Sequence, residues 1–426
     1  MFLSTPKTPG QMLKVRINDV SVKAICQFNR VIVPYGQIYT AGMQEKGKQM
    51  ALSDEAMRIH REALVLDGHN DLADRIRDLG YSTLEGFSLE DPPAGFQTDI
   101  PRLRKGGVKA QVWVAFVPPE YMYSGEAGRV CFEQLDLIHR LVEKHRDHLE
   151  LALEAADVER IDGEGKIASL IGVEGGHAIE DNLDRLSEFY SLGARYMTLT
   201  HNDTTTWADS SYDEPRNGGL SGFGREVVQE MNRLGMLVDV SHASDQAVRD
   251  AVDAGRAPVI ASHSSARAIN GLRRNLPDEL IRVVAGTGGI VMVNFYPLFL
   301  VPEGLAVETA YYEKSMELRK MNLSPEEFSR AMHDFERERP PLPRCPADAV
   351  ADHLEHIIRV AGIDHAGLGS DFDGIPFGPD QLPDVSGFPY ITQALLDRGH
   401  DEEAIRKVLG KNFLRVLRDA ESFREK

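Results

Sequence analysis

Cysteine is scarce: Cys26, Cys131 and Cys345 are the only three in 426 residues, an odd number with no Cys-x-x-Cys spacing. A disulfide framework is therefore excluded as the basis of the fold. Long apolar runs are also missing. No stretch of about 18 apolar residues is available to span a membrane as a helix. The N-terminus, Met1 to Lys7 and on to Asp19, lacks the roughly 7–15 apolar residues of a secretory signal. Basic charge is in deficit: 48 Lys and Arg stand against 66 Asp and Glu, a net charge of −18. Such a balance argues against nucleic acid and anionic membrane surfaces as partners. Low-complexity tracts are absent, and 42% apolar with 27% charged residues is a globular composition. These absences lead us to expect a cytoplasmic enzyme or binding protein with no membrane partner.

What is present is one repeated theme, a short apolar strand, a polar loop and an amphipathic helix. Strands are expected at 63–67, 110–116, 167–173, 194–200, 236–240, 257–261, 289–295 and 366–370. Helical patterns at 181–192, 223–234, 244–254, 277–285 and 347–361 separate several of them. Strands alternating with helices imply right-handed β-α-β units, and eight of them imply an α/β fold of the (β/α)8 TIM barrel type. An open doubly wound sheet is the second choice. Residues 1–62 read as an N-terminal appendage packed on the barrel, with a small hairpin-like β element between Lys14 and Val33 and a helical stretch from Glu45 to Glu62. Residues 63–426 read as the barrel, closed by terminal helices from Asp401 to Glu425. A charged helical insertion, Tyr311 to Arg339, precedes the eighth strand. It is either a lid over a site or a solvated excursion.

Ligands and catalysts of such barrels gather at the C-terminal ends of the strands, and here six of the eight ends carry His, Asp or Glu. The first ends in His69 and Asp71, which share a face because strand side chains alternate. The third ends in Glu174, the fourth in His201, the fifth in His242, the sixth in His263 and the eighth in Asp371. Imidazole nitrogens and carboxylate oxygens suit Zn²⁺ and similar divalent ions, and the set exceeds the three protein ligands usual for one catalytic ion. Two ions sharing a carboxylate fit it better. Glu174, lying between the two groups, is the natural bridge. No lysine stands at these strand ends, which disfavours a carbamylated-lysine bridge. Asp371, nearer the strand end, is preferred to Asp373, which is expected to hold the Gly374 turn. His177, His333, His353, His356, His365 and His400 read as surface or structural, Asp203 and Asp239 as supporting partners. His201 is placed to touch substrate. One of Arg273 and Arg274, near the mouth, could bind a carboxylate bidentately.

The motifs Asp67-Gly-His69-Asn-Asp71, Gly172-Val-Glu174-Gly-Gly-His177, Leu199-Thr-His201-Asn-Asp203, Asp239-Val-Ser-His242, Ala261-Ser-His263, Arg273-Arg274-Asn275 and Gly369-Ser-Asp371-Phe-Asp-Gly374 occur in order. Together they resemble the membrane dipeptidase (renal dipeptidase) family of amidohydrolase-like enzymes, over about Ala63 to Leu417. The resemblance implies two zinc ions, one on His69 and Asp71 and one on His242 and His263, bridged by Glu174. It further implies Asp371 as general base and then acid, His201 on the carbonyl oxygen, and Arg274 on the terminal carboxylate of a dipeptide. The reaction implied is hydrolysis of dipeptides by metal-activated hydroxide, including those with a C-terminal D-residue, in a homodimer. Mammalian members are secreted, lipid-anchored and disulfide-linked. Lacking those features, this chain resembles the cytoplasmic bacterial branch. A related amidohydrolase acting on another small amide, lactone or β-lactam is the alternative, and a non-enzymatic barrel subunit the third reading.

Overall fold

The computed structural model describes residues 51–425 except 322, 324 and 340. The hairpin-like element between Lys14 and Val33, and most of the proposed N-terminal appendage, lie outside the described residues. The strands are β1 (Val65–Asn70), β2 (Val108–Phe116), β3 (Leu149–Leu151), β4 (Ile167–Glu174), β5 (Ala194–Thr198), β6 (Leu237–Asp239), β7 (Val259–Ala261), β8 (Ile290–Val293) and β9 (Ala366–Leu368). Pairing is parallel and runs β1-β2-β4-β5-β6-β7-β8-β9. These eight form the expected barrel. The short β3, not anticipated from sequence, pairs with β4 outside that path.

The last seam is closed by side chains as much as by backbone. A parallel bridge joins Asn70 to Phe372, and the Asp371 amide donates to the His69 carbonyl at 3.0 Å. Beneath it the buried Asp67 carboxylate accepts from the Ser370 amide at 2.7 Å, the Ser370 hydroxyl at 2.6 Å and Gln111 Nε2 at 3.0 Å. Asp67 thus ties the first strand to the segment that follows the last. Burial pushes its carboxyl up to about 6 against the pull of those hydrogen bonds.

Alternation along each strand sorts the core into an inside and an outside. On β2, Ala110, Val112 and Val114 face the barrel interior with Leu66, Leu170, Tyr196, Leu237, Ile260 and Met292, while Trp113 and Ala115 pack in the outer layer with the helices. Phe413, Leu414 and Leu417 of the terminal helix Asn412–Glu421 plug the interior from the other end. Gly172 has no side chain because a Cβ there would lie 2.3 Å from the Tyr196 ring. Before the barrel, the helix Asp54–Glu62 docks through His60, whose Nδ1 and Nε2 meet Thr392 Oγ1 at 2.7 Å and the Gly106 carbonyl at 2.8 Å.

The insertion between β8 and β9 departs from the single helical stretch expected. It comprises Pro302–Arg319 and Pro325–Glu338. Proline suits a first helical turn but not a helix interior, so Pro325 opens a second helix instead of continuing the first.

Candidate metal centre and active site

The six strand ends that carry His, Asp or Glu deliver them to one cluster, with Glu174 at the middle. Its Oε2 lies 3.5 Å from His69 Nε2, which is 3.5 Å from Asp71 Oδ2. Its Oε1 lies 3.1 Å from His242 Nε2 and 3.3 Å from His263 Nε2. One carboxylate therefore faces two half-sites, one on each oxygen. His69, Asp71 and Asp371 form a further group close enough to share an ion.

Hydrogen bonds set the tautomer of all three imidazoles. The single Ser262 O–H donates to Asp239 Oδ2 at 2.6 Å, so Ser262 Oγ accepts from His263 Nδ1 at 2.7 Å. The Tyr196 hydroxyl donates to the Gly68 carbonyl at 3.1 Å and so accepts from His69 Nδ1 at 2.9 Å. His242 Nδ1 donates to Asn202 Oδ1 at 2.9 Å. In every case the proton donor is Nδ1 and Nε2 points into the cluster, as a bare lone pair on His242 and His263. Asp239, held in turn by Thr198 Oγ1 at 2.6 Å, anchors this arrangement.

Such a cluster suits cations and little else. The bare Nε2 atoms of His242 and His263 are 2.9 Å apart, where two lone pairs repel. His69 Nε2, Glu174 Oε1 and Asp71 Oδ1 are buried without a hydrogen-bond partner. Buried polar atoms are rarely left so, and imidazole with carboxylate is a donor set for zinc or a similar ion. The residues therefore fit a metal centre. Burial, together with Arg274 and neighbouring histidines, holds His242 and His263 well below the usual histidine range, in the neutral form that ligates. Burial opposes charge on His69, but Glu174 and Asp71 more than offset it and raise its pKa.

Asp371 stands at the edge of this cluster. Burial first, and the Asp71 charge second, push its carboxyl up to about 7. Asn294 Nδ2, from just beyond β8, donates to its Oδ2 at 2.8 Å. The backbone there is strained: His242, Asp371 and Asp373 all take positive φ, at 67°, 64° and 66°, a conformation that costs about 1 kcal/mol or more for non-glycine residues. Gly374 permits the close approach, since a Cβ would lie 2.2 Å from Asp71 Oδ2 and 2.5 Å from Asp371 Oδ1. The Asp373 side chain departs from expectation, accepting from the Gln97 amide at 2.8 Å instead of holding the Gly374 turn.

Of the two candidate arginines, Arg273 is exposed and Arg274 is 2% exposed. Arg274 Nη1 donates to Ser264 Oγ at 2.6 Å, while Nε and Nη2 are buried without a partner. A guanidinium with one edge unoccupied is a receptor for a planar anion. His201 is half-buried, its ring centroid 4.4 Å from that of His242 and 4.7 Å from that of Phe116. His353 proves structural, accepting from the Ala266 amide and meeting the Leu300 carbonyl. Sequence reasoning did not single out Asn294, Ser262 or Tyr196. Asn294 had a signal, because it follows a strand as the candidate ligands do. Ser262 and Tyr196 had none, since their role depends on which ring they touch.

Comparison with known proteins agrees with this geometry. The sequence profile described as membrane dipeptidase (Peptidase family M19) matches residues 53–426. Dipeptidase 3 of Mus musculus is 37% identical over 380 residues, 88% of this chain and 68% of that protein. Dipeptidase 3 of Homo sapiens is 37% identical over 383 residues, covering 89% and 69%. Among solved structures, a metallopeptidase from Rhodobacter sphaeroides liganded with a phosphinate mimic of the dipeptide L-Ala-D-Ala superposes with TM-score 0.69 at 25% identity, covering 84% of this chain and 99% of that one. The probable dipeptidase PvdM from Pseudomonas aeruginosa, at 24% identity, TM-score 0.74 and coverage of 87% and 98%, shares the fold. The cytoplasmic, membrane-free expectation is corrected by these matches. It rested on a reading of the two ends of the sequence, whereas the matching family is that of the membrane dipeptidases. No helix among the described residues is long and apolar enough to cross a membrane. The homodimer implied by resemblance finds no support in the matches.

Proposed function

Membership of this chain in the membrane dipeptidase family is the premise from which we propose that it is a two-zinc dipeptidase acting on dipeptides, those with a C-terminal D-residue included. The observation that carries the reading is the pairing of two half-sites across Glu174 with a buried, half-occupied Arg274 nearby. His69 and Asp71 would hold one ion, His242 and His263 the other, and Glu174 both. Bound there, such ions polarise the scissile carbonyl and acidify the attacking water.

The chain's own groups do the rest. Arg274 takes the substrate's terminal carboxylate on its Nε and Nη2 edge, which fixes one end of the substrate. With the scissile carbonyl fixed at the centre, about one residue fits between, so the substrate is short. Asp371, oriented by Asn294, accepts the proton of the attacking water and returns it to the leaving amine. A carboxyl lifted from the ordinary range is suited to that exchange near neutral pH. His201 donates to the carbonyl oxygen as negative charge develops on it. Tyr196, Ser262 and Asn202 keep the ligand nitrogens bare and aimed inward. The L-Ala-D-Ala mimic held by the Rhodobacter sphaeroides enzyme supports extending the substrate class to L,D-dipeptides.

The test is hydrolysis of a panel of L,L- and L,D-dipeptides by zinc-loaded protein, alongside a Glu174→Gln variant. Cleavage of free dipeptides, lost in the variant together with zinc, is expected. Failure to cleave any of them sinks the proposal.

A further inference from the structure

The insertion helix Pro302–Arg319 roofs the Arg274 subsite. Gly304 lets its first turn sit directly on Leu298, where a Cβ would come within 2.2 Å of the Leu298 carbonyl oxygen. Val307 packs on the small cluster of Leu272, Leu298 and Phe299. The Arg274 guanidinium lies 5.9 Å from the Phe299 ring centroid. One turn further along, Tyr312 stacks on Tyr212, from the loop after β5, with centroids 3.5 Å apart and planes 12° from parallel. The roof is thereby pinned to the opposite rim of the mouth.

Four glutamates lie on this helix. Glu303, Glu313 and Glu317 are exposed, as an insertion surface requires, but Glu308 is only 9% exposed. Four residues before Tyr312, it shares that helix face. Its neighbours are Arg339, Arg274, Tyr212 and Tyr312, with all of which it interacts electrostatically. The buried Tyr212 hydroxyl in the same space has no hydrogen-bond partner. Burying a carboxylate is costly unless it is paired and hydrogen-bonded, and burial lifts this carboxyl to about 7.

We propose that Glu308 is a specificity-determining residue that faces the C-terminal side chain of a bound dipeptide and favours one ending in a cation or a strong hydrogen-bond donor. The inference rests on the dipeptidase reading, in which Arg274 holds the substrate carboxylate. The side chain attached beside that carboxylate has the roof as its wall. An aliphatic stem suits the stacked tyrosines, and an ammonium or guanidinium at its tip reaches Glu308. An acidic C-terminal residue is disfavoured by like charge. A charge-assisted hydrogen bond in a closed pocket discriminates by about tenfold or more against an alkyl analogue.

The experiment compares kcat/KM for Ala-Lys, Ala-norleucine and Ala-Glu, in both configurations of the second residue, for zinc-loaded wild type and Glu308→Gln. Wild type is expected to rank lysine above norleucine by about tenfold and glutamate last, and the lysine-to-norleucine ratio is expected to fall to near one in the variant. The wild-type ranking requires no variant to fold. A wild-type preference for norleucine, or a ratio that the substitution leaves in place, overturns the proposal. So does a lower melting temperature with an unaltered ratio, which marks Glu308 as a structural partner of Arg339. If wild type cleaves none of the three, the dipeptidase reading itself has failed, and that outcome is distinct from cleavage without the ranking.

Discussion

Replacing Arg274 with methionine separates binding from stability. Methionine keeps the length of the stem against Phe299 and removes the guanidinium, so the lost interactions are the bond to Ser264 and the fork left for a ligand. Truncating one side of a buried, charge-paired contact costs about 2–5 kcal/mol. At about 1.4 kcal/mol per decade this is a fall of roughly 30- to 5,000-fold in kcat/KM for a free dipeptide. A dipeptide amide has no carboxylate to offer, so wild type and variant should differ little on it, and the four rates form a double-mutant cycle. The metal-free protein should gain in the same substitution. Burial outweighs the attraction of Glu174 and Asp371 and lowers the Arg274 pKa, so the charge is held at a cost to folding. The thermal midpoint of the variant is thus expected at or above that of wild type. Equal losses on the acid and the amide, or a loss under about threefold on the acid, would refute the assignment of Arg274 to the carboxylate.

Ser262→Ala removes the hydroxyl that fixes the His263 tautomer, and zinc affinity measured by chelator competition should fall about 10- to 100-fold; an unchanged affinity contradicts the relay from Asp239. Gly374→Ala drives a methyl group into Asp71 and Asp371. Its kcat should drop by about 100-fold, and activity within twofold of wild type would show that these carboxylates tolerate movement. For Asp371→Asn the sign follows from the raised pKa. The native carboxyl keeps its proton up to about 7, whereas in the unfolded chain it loses it near about 4. Native protein therefore binds the extra proton between those values, and this group's contribution to stability declines as pH rises through that window. The asparagine variant lacks that decline, so urea melts of the metal-free proteins should show it gaining on wild type from pH about 5 to about 8. A difference that does not vary with pH would mean that Asp371 ionises normally.

Much of the centre was legible because a parallel barrel converts strand order into a ring. Once eight strands were recognised, His69, Glu174, His242, His263 and Asp371 had to converge, and they do. The choice between Arg273 and Arg274 was not legible, since adjacent residues on a loop carry no periodicity, and only packing against Ser264 and Phe299 decides it. Asp67 was written into the motif but its work, clasping Ser370 across the barrel seam, depends on two segments about 300 residues apart. The roof was least visible. Tyr312 and Glu308 sit on a helix whose pattern resembles a solvated excursion, and Tyr312 is covered by Tyr212, a partner that no spacing predicts.

Central to the proposed function is a pair of metal sites sharing Glu174 and serving peptide hydrolysis. The most direct measurement titrates metal-free protein with zinc while following release of alanine from L-Ala-D-Ala. Activity that rises to a plateau at two equivalents per chain, and never appears in Glu174→Gln, is the predicted result. A plateau at one equivalent, or two bound equivalents with no hydrolysis, would contradict it.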